Sequence, residues 1–529
     1  MFARKHVTLR IAFFAAACGL LFNFAVVRAQ ALDGDSGLVF GPHEIGFMTI
    51  EKYDYTRSFM PKYDYDGQLL SEERARPIQV CIWYPAAGSS EAGSMVYGEY
   101  VYPYPNVGRF NILVAGMQAR ELNYLAQLTN NNRAMVQDFM NLKMKAVKDA
   151  PYAQGKFPLI IYHANSMAGF SENLVLCELL ASHGYVVATT HSMGVRVFHP
   201  QPTEADIEAM TRDKEFVYSI VRDMGFVDRD KLGLLGIGFG GLTALIMQMR
   251  NKEGDAVAVI EGSFISDDFM KYSGSNPNFI YNDMSVPMML VFGKDQAGHD
   301  LSVLDSLKYS DRYILACDGM TGNDFSHAVL FASQAFMETT PRSAQICTRY
   351  GSACRTILEF FEAVIGKNAD KLRTFKDGLS DSESADFTFM AGLDLPPLEA
   401  EFVNIIRNEG SARGVELFEK FRLQDPDYRI FREVMMNALG YEMLQSNRLD
   451  DAVQIFRLNT IAYPNSANCW DSYADALTAS GDNDGALKCY EQVMKVLPGD
   501  TAIDPGMKEI ILNNARDRLG LNQEQGESN

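Results

Sequence analysis

The residues best placed to do chemistry lie where an apolar run, Leu232 to Gly236, meets the glycines Gly238, Gly240 and Gly241 and then an apolar helix from about Leu242. A strand turning sharply into a helix lifts a nucleophile clear of a sheet, in the pattern glycine–any–serine–any–glycine. Gly236 and Gly240 stand where a side chain would collide with the turn. The centre, where serine belongs, is Gly238. A hydroxyl becomes nucleophilic only when a base takes its proton and an acid orients that base. Glycine has no hydroxyl to offer, yet it tolerates the positive φ of such a turn. The segment predicts the backbone of a nucleophile elbow without its chemistry.

Other groups compete for a catalytic role. Ser192, within Thr190 to Gly194, has a trailing glycine but neither a leading one nor a following apolar helix. Ser166 reads as a loop hydrogen-bonder, and Ser263 has no evident base. His163, His183 and His199 read as strand-end or loop histidines that satisfy local hydrogen bonds. Seven cysteines follow residue 31, without a Cys-x-x-Cys or a metal-type spacing to histidine, so neither a metal site nor a cofactor is expected. Cys469 and Cys489 are the best local candidates for a disulfide.

Seven short apolar runs would position these groups: Ile78–Tyr84, Pro158–Tyr162, Tyr185–Thr189, Leu232–Gly236, Ala256–Ile260, Pro287–Phe292 and Arg312–Cys317. Helical runs lie among them at Asn173–Ser182, Glu204–Met224, Leu242–Met249 and Phe331–Thr339. Continuous apolar strands alternating with helices predict an α/β fold with a mostly parallel sheet covered on both faces, over residues 32–376. Residues 105–150 interrupt the alternation with a polar, helical, Met- and Asn-rich insertion, either a lid over the strand ends or a solvent-facing excursion. Residues 377–396, rich in Asp, Ser and Gly, read as an exposed linker.

Residues 397–520 read as all-helical and repetitive. Met436, Leu439, Gly440, Met443, Ala452, Phe456 and Pro464 recur 34 residues later as Trp470, Tyr473, Ala474, Leu477, Ala486, Tyr490 and Pro498. The period and its small and large positions resemble the tetratricopeptide repeat, and a looser copy precedes it at Gly414, Phe418, Phe421 and Pro426. Trp470 and Tyr490 are expected in the core of the last unit. Asn437, Glu442, Asp471 and Asp475 would line a concave face for a polar or basic peptide partner, or stand as a solvated face.

The first 31 residues have the three parts of a secretory signal: basic Arg4, Lys5 and Arg10, apolar Ile11 to Val27, and small Ala29 and Ala31. Export is expected, into the periplasm of a Gram-negative cell or otherwise out of the cell, and no later stretch is apolar enough to span a membrane. A formal net charge of −19 argues against nucleic acid as a partner.

Four segments, Arg76 to Pro85, Pro158 to His163, Ala181 to Val187 and the elbow, together resemble the secreted platelet-activating-factor acetylhydrolase and dienelactone-hydrolase-like branch of the α/β hydrolases, over roughly residues 45–365. The resemblance implies an eight-stranded, mostly parallel sheet and a serine or cysteine hydrolase of esters and lactones. It puts the nucleophile at Gly238. The acid falls at Glu261 or, as in other α/β hydrolases, at Asp295. The histidine falls at Gly322, in the loop Thr321 to His327, with His327 as a spare five residues on. Backbone donors for an oxyanion would come from Phe239 and from Asn165 or Ala164, and could hold a small ester or anion without turnover. The leading expectation is a degenerate hydrolase that binds or scaffolds. Its rival is a working hydrolase using Ser192 or a water activated by Glu261. A third reading makes the repeats the functional part and the hydrolase-like domain a platform.

Overall fold

The computed structural model describes residues 36–521 except 60–68, 70–73, 89–92, 102–110, 130, 167–168, 197–199, 263–264, 266–275, 296–297, 331–340, 381–384 and 427–428. The expected secretory signal, His199, Ser263 and the helix expected over Phe331–Thr339 lie outside the described residues. The chain forms two compact units, Met1–Met390 and Ala391–Asn529.

The first unit is built on a ten-stranded sheet. Its strands are β1 (Glu44–Phe59), β2 (Arg74–Ala86), β3 (Val147–Lys148), β4 (Phe157–His163), β5 (Val186–Thr189), β6 (Val227–Ile237), β7 (Ala256–Ile260), β8 (Met288–Gly293), β9 (Arg312–Cys317) and β10 (Ala385–Met390). They lie in the order β10-β9-β8-β7-β6-β4-β5-β2-β1-β3. From β5 through β4, β6, β7 and β8 to β9 every neighbour pairs parallel, while β1, β2 and β10 join antiparallel. That is the α/β-hydrolase sheet, extended at both edges.

The seven expected strands are all present. Side chains two apart share a face, so Ile160, Tyr162, Ala256 and Ala258 enter one core while Leu159, Ile161, Val257 and Val259 enter the other. The sixteen-residue β1 escaped the sequence reading because polar and charged residues from Glu51 onward interrupt its apolar run.

One expectation changes. Residues 385–390, expected within a linker, form β10, which pairs with β9 along its whole length, from Ala385 against Cys317 to Met390 against Arg312, and the helix Ala369–Ser380 runs into the same stretch. Over residues 105–150 lie the helices Asn111–Leu128 and Arg133–Met140, and two buried carboxyls anchor parts of that stretch and the helix Tyr97–Val101 before it. Glu178, fully buried on the helix Leu174–Ser182, accepts from Tyr100 Oη at 2.7 Å and from the backbone N–H groups of Lys145 and Ala146 at 3.1 Å. Glu121 accepts from Tyr97 Oη and, at 2.6 Å, from Ser171 Oγ.

The second unit is three helical hairpins and a last helix: Glu399–Glu409 with Ser411–Gln424, Glu433–Gln445 with Leu449–Ala462, Ala467–Ser480 with Asn483–Val496, then Pro505–Arg518. Small residues mark the helix crossings. A Cβ on Gly440 would meet the Phe456 ring at 2.5 Å, and one on Gly414 would meet Ile406 at the same distance. Tyr490 is 1% exposed, as expected. Trp470 is only half-buried, because its indole N–H reaches the edge of the packing to donate to Pro464 O at 2.9 Å. The seven cysteines after residue 31 are buried free thiols, so Cys469 and Cys489 form no disulfide.

Candidate functional site

The elbow backbone is present. β6 ends at Ile237, the helix Phe239–Asn251 begins two residues later, and Gly238 between them has φ +53° and ψ −118°. Its N–H donates to Ile260 O at 2.9 Å, which fixes the turn against β7. The flanking glycines answer close approach: a Cβ on Gly236 would meet Gly240 O at 2.5 Å, and one on Gly240 would overlap His163 O. A side chain at either would push the helix Phe239–Asn251 away from the sheet.

At Gly238 the obstacle is of another kind. A Cβ there would come within 2.8 Å of Asn165 Cγ and Nδ2, so the Asn165 amide fills the space a nucleophile's side chain would use. The Asn165 N–H, expected to serve an oxyanion, already donates to Glu172 Oε2 at 3.2 Å. Burial pushes the Glu172 carboxyl up to about 7, against the opposing pull of that N–H and of Arg120. Arg120, on the insertion helix Asn111–Leu128, donates to Ser166 O at 2.8 Å and to Ser192 O at 3.3 Å. The crevice left between Arg120, Glu121, Ser171, Phe170 and His191 is about 20 Å³, room for one water.

The spare hydroxyls and imidazoles are engaged elsewhere. Ser192 is buried and donates to Ala164 O at 3.1 Å, while Ser166 is buried in its loop. His163 Nδ1 contacts Thr243 Oγ1 at 2.8 Å, and burial drives the ring well below its ordinary pKa. His183 Nε2 meets Val39 O at 3.1 Å. His327 is buried; its Nδ1 accepts from Leu174 N–H at 3.3 Å, its ring lies edge-on to Tyr97, and burial holds its pKa down to about 3. An imidazole so placed is neutral and pinned at the helix Leu174–Ser182.

The acid end looks different. Glu261 follows β7 with φ +49°, and its Oε1 accepts from Gly293 N–H at the end of β8. Burial pushes its carboxyl up to about 7, and Asp324, in the loop that starts at Gly322, adds to the shift. Asp295 is exposed, its N–H donating to Met320 O at 3.3 Å. Glu261 Oε2 lies 3.8 Å from His299 Nε2, both side chains nearly enclosed at 11% and 13% exposure. His299 escaped the sequence reading, although it sits six residues past β8 in a glycine-containing loop. Glu172 escaped too, as one acid beside an otherwise apolar helix.

In the helical unit Glu442 pairs with Arg407 at 2.7 Å, Asp475 accepts from Tyr441 Oη at 3.0 Å, and Asp471 accepts from Asn514 Nδ2 at 2.8 Å. Burial pushes Asp471 up to about 6. Asn437 Oδ1 and Tyr490 Oη, both buried, have no hydrogen-bond partner. Among the described residues no cluster of three or more His, Cys, Asp or Glu side chains is arranged to hold a metal ion, and no helix is long and apolar enough to cross a membrane.

No family model matches the chain, and no curated protein matches it. Among solved structures the chain is similar to a ferulic acid esterase from Streptomyces cinnamoneus, with 16% identity, covering 69% of this chain and 100% of the esterase, at a TM-score of 0.41. At that score the likeness carries no argument about the site, and the reading of the fold rests on the strand order and the elbow.

Proposed function

We propose that the chain is an exported protein of hydrolase-like fold whose catalytic triad has decayed, and that it serves as a binding or scaffold protein. The observation that carries this reading is Asn165, whose amide stands where a Gly238 side chain would begin. With Gly322 at the position expected for histidine and His327 pinned by Leu174 N–H, neither position offers an imidazole to a nucleophile at the elbow. A lost serine alone could be reversed by one substitution. A refilled site could not. Glu172 on the Asn165 N–H further means that a small ester or anion would have to displace a carboxyl of the chain itself.

The helical hairpins would then supply partner binding in the manner of tetratricopeptide repeats, with Asn437, Asp471 and Asp475 facing a polar or basic peptide.

Labelling of the full chain with a fluorophosphonate tests the reading. No stoichiometric adduct is expected; one at a single serine overturns it. A second reading, hydrolysis by a water activated at Glu261, is favoured by the His299 contact alone. Turnover of a small activated ester by the wild type, lost in Glu261→Gln, would establish that reading instead.

A further inference from the structure

A cavity of about 340 Å³ opens away from the elbow, among β9, the helix Pro341–Val364, the helix Ala369–Ser380 and β10. Its floor is apolar: Leu315 on β9, Ala353, Leu379 and Ala385. Its wall is one face of the helix Pro341–Val364, where Arg349, Ser352, Thr356 and Glu359 recur at spacings of three and four. The thiol of Cys317 also lines it, pushed up to about 12 by burial, and so acts as an apolar lining group rather than a nucleophile.

The charges of this cavity do not cancel. Arg355 donates to Gly37 O at 3.3 Å, and its charge opposes the burial that raises the Glu359 carboxyl, so these two charges offset each other. Asp318, next to Cys317, is paired with Lys294 Nζ at 3.1 Å. Arg349, half-buried, makes no hydrogen bond or ion pair with any described residue. Its guanidinium rests against Gly319, whose φ is +64° and where a Cβ would overlap Nη1. Glycine there leaves room for the arginine. A half-buried guanidinium gives up hydration and recovers it only from a partner, and five N–H donors in a planar fork suit a carboxylate.

We propose that this cavity binds a small organic carboxylate with a short apolar body, its charge on Arg349, one oxygen within the reach of the Ser352 hydroxyl and its body over Leu315, Leu379 and Ala385. One unpaired cation and an apolar floor suit a monoanion; a phosphate dianion would need further donors. The volume falls in the range of small-molecule pockets. The site is independent of the elbow and of any triad. A chain of net charge −19 repels anions in bulk, so saturable binding of one must come from a local cation.

Isothermal titration of the full chain with benzoate and hexanoate tests this, with benzyl alcohol as the body without charge, acetate as the charge without body, and inorganic phosphate as the other anion. Saturable binding of benzoate or hexanoate is expected, weaker for acetate and absent for benzyl alcohol. Arg349→Gln should weaken it about tenfold or more, the worth of a charge-assisted hydrogen bond, and Arg349→Lys should restore part of it. Gly319→Ala, which displaces the guanidinium without removing it, should weaken binding too and keeps the test alive should Arg349→Gln fail to fold. Binding unaltered in Arg349→Gln and Gly319→Ala, equal binding of benzyl alcohol, tighter binding of phosphate, or no saturable binding of either carboxylate overturns the proposal.

Discussion

The two ends of the elbow site have fared differently. At the nucleophile end the space is filled: Asn165 stands at the Gly238 side-chain position, Glu172 holds the Asn165 N–H, and Arg120 bridges the carbonyls of Ser166 and Ser192. At the acid end a carboxyl persists with an imidazole beside it. The difference follows from what each group does for the fold. A nucleophile's hydroxyl satisfies nothing structural, so its loss costs the backbone nothing, and glycine relieves the strain of φ +53°. Glu261 accepts from Gly293 N–H at the end of β8, a donor that otherwise lies buried without a partner. On the decayed-triad reading proposed above, a catalytic group with a second, structural duty outlasts one without.

The largest expected effect separates the backbone of the elbow from its vacant centre. Gly240→Ala drives a Cβ into His163 O, a backbone atom that can move only with β4, and should cost about 3 kcal/mol or more in chemical denaturation of the full chain. Gly238→Ala meets the Asn165 side chain, which can swing aside, and should cost about 1–2 kcal/mol, mostly from the positive φ. Equal costs would mean that Asn165 is held as rigidly as a strand, and that the nucleophile end is filled by design of the whole loop.

Titration gives the next effect. The Glu172 carboxyl rises from its ordinary 4.5 to about 7 in the fold, so its stabilising contribution is complete below about 4.5 and is lost as pH rises through 7. Burial depresses His327 from 6.5 to about 3, so its contribution is complete above 6.5 and is lost as pH falls through 3. Glu172→Gln keeps an acceptor for Asn165 N–H and removes the proton. Its stability relative to wild type should therefore improve between pH 4.5 and 7.5 by roughly 1–3 kcal/mol, taking 1.36 kcal/mol per pKa unit as an upper scale. A difference that does not change with pH would mean that Glu172 is not ionising in that window, and would remove the electrostatic half of the contrast.

How much of this was legible in the sequence depended on the reach of each signal. Strands β4 to β9 were readable because burial on both faces writes a continuous apolar run, and the elbow because Gly236 and Gly240 stand close in sequence and meet across the turn. β1 and β10 were not, since a strand half-buried or at an edge keeps polar residues, and Ala385–Met390 reads as linker until β9 is beside it. That Gly238 offers no nucleophile was visible; the approach of Asn165 to it was not, because that contact joins the loop after β4 to the elbow across more than seventy residues. His299 was missed for the same reason, being meaningful only next to Glu261.

The smallest effect bears on the acid end itself. The Glu261–His299 contact, at 3.8 Å, is longer than a hydrogen bond, and burial lowers the His299 pKa, so at neutral pH the imidazole is mostly uncharged and the pair contributes little Coulomb energy. His299→Gln should therefore change stability at pH 7 by less than about 1 kcal/mol. Its consequence should appear in the neighbour. An imidazole that is uncharged where Glu261 titrates acts on that carboxyl only by keeping water from it, so removing it should move the Glu261 titration, followed by carboxyl-carbon NMR, downward from about 7 rather than upward. An upward move would mean that His299 carries a proton beside an ionised Glu261. In that case the acid end holds a charged pair, and its contrast with the filled nucleophile end is sharper than one hydrogen bond to Gly293.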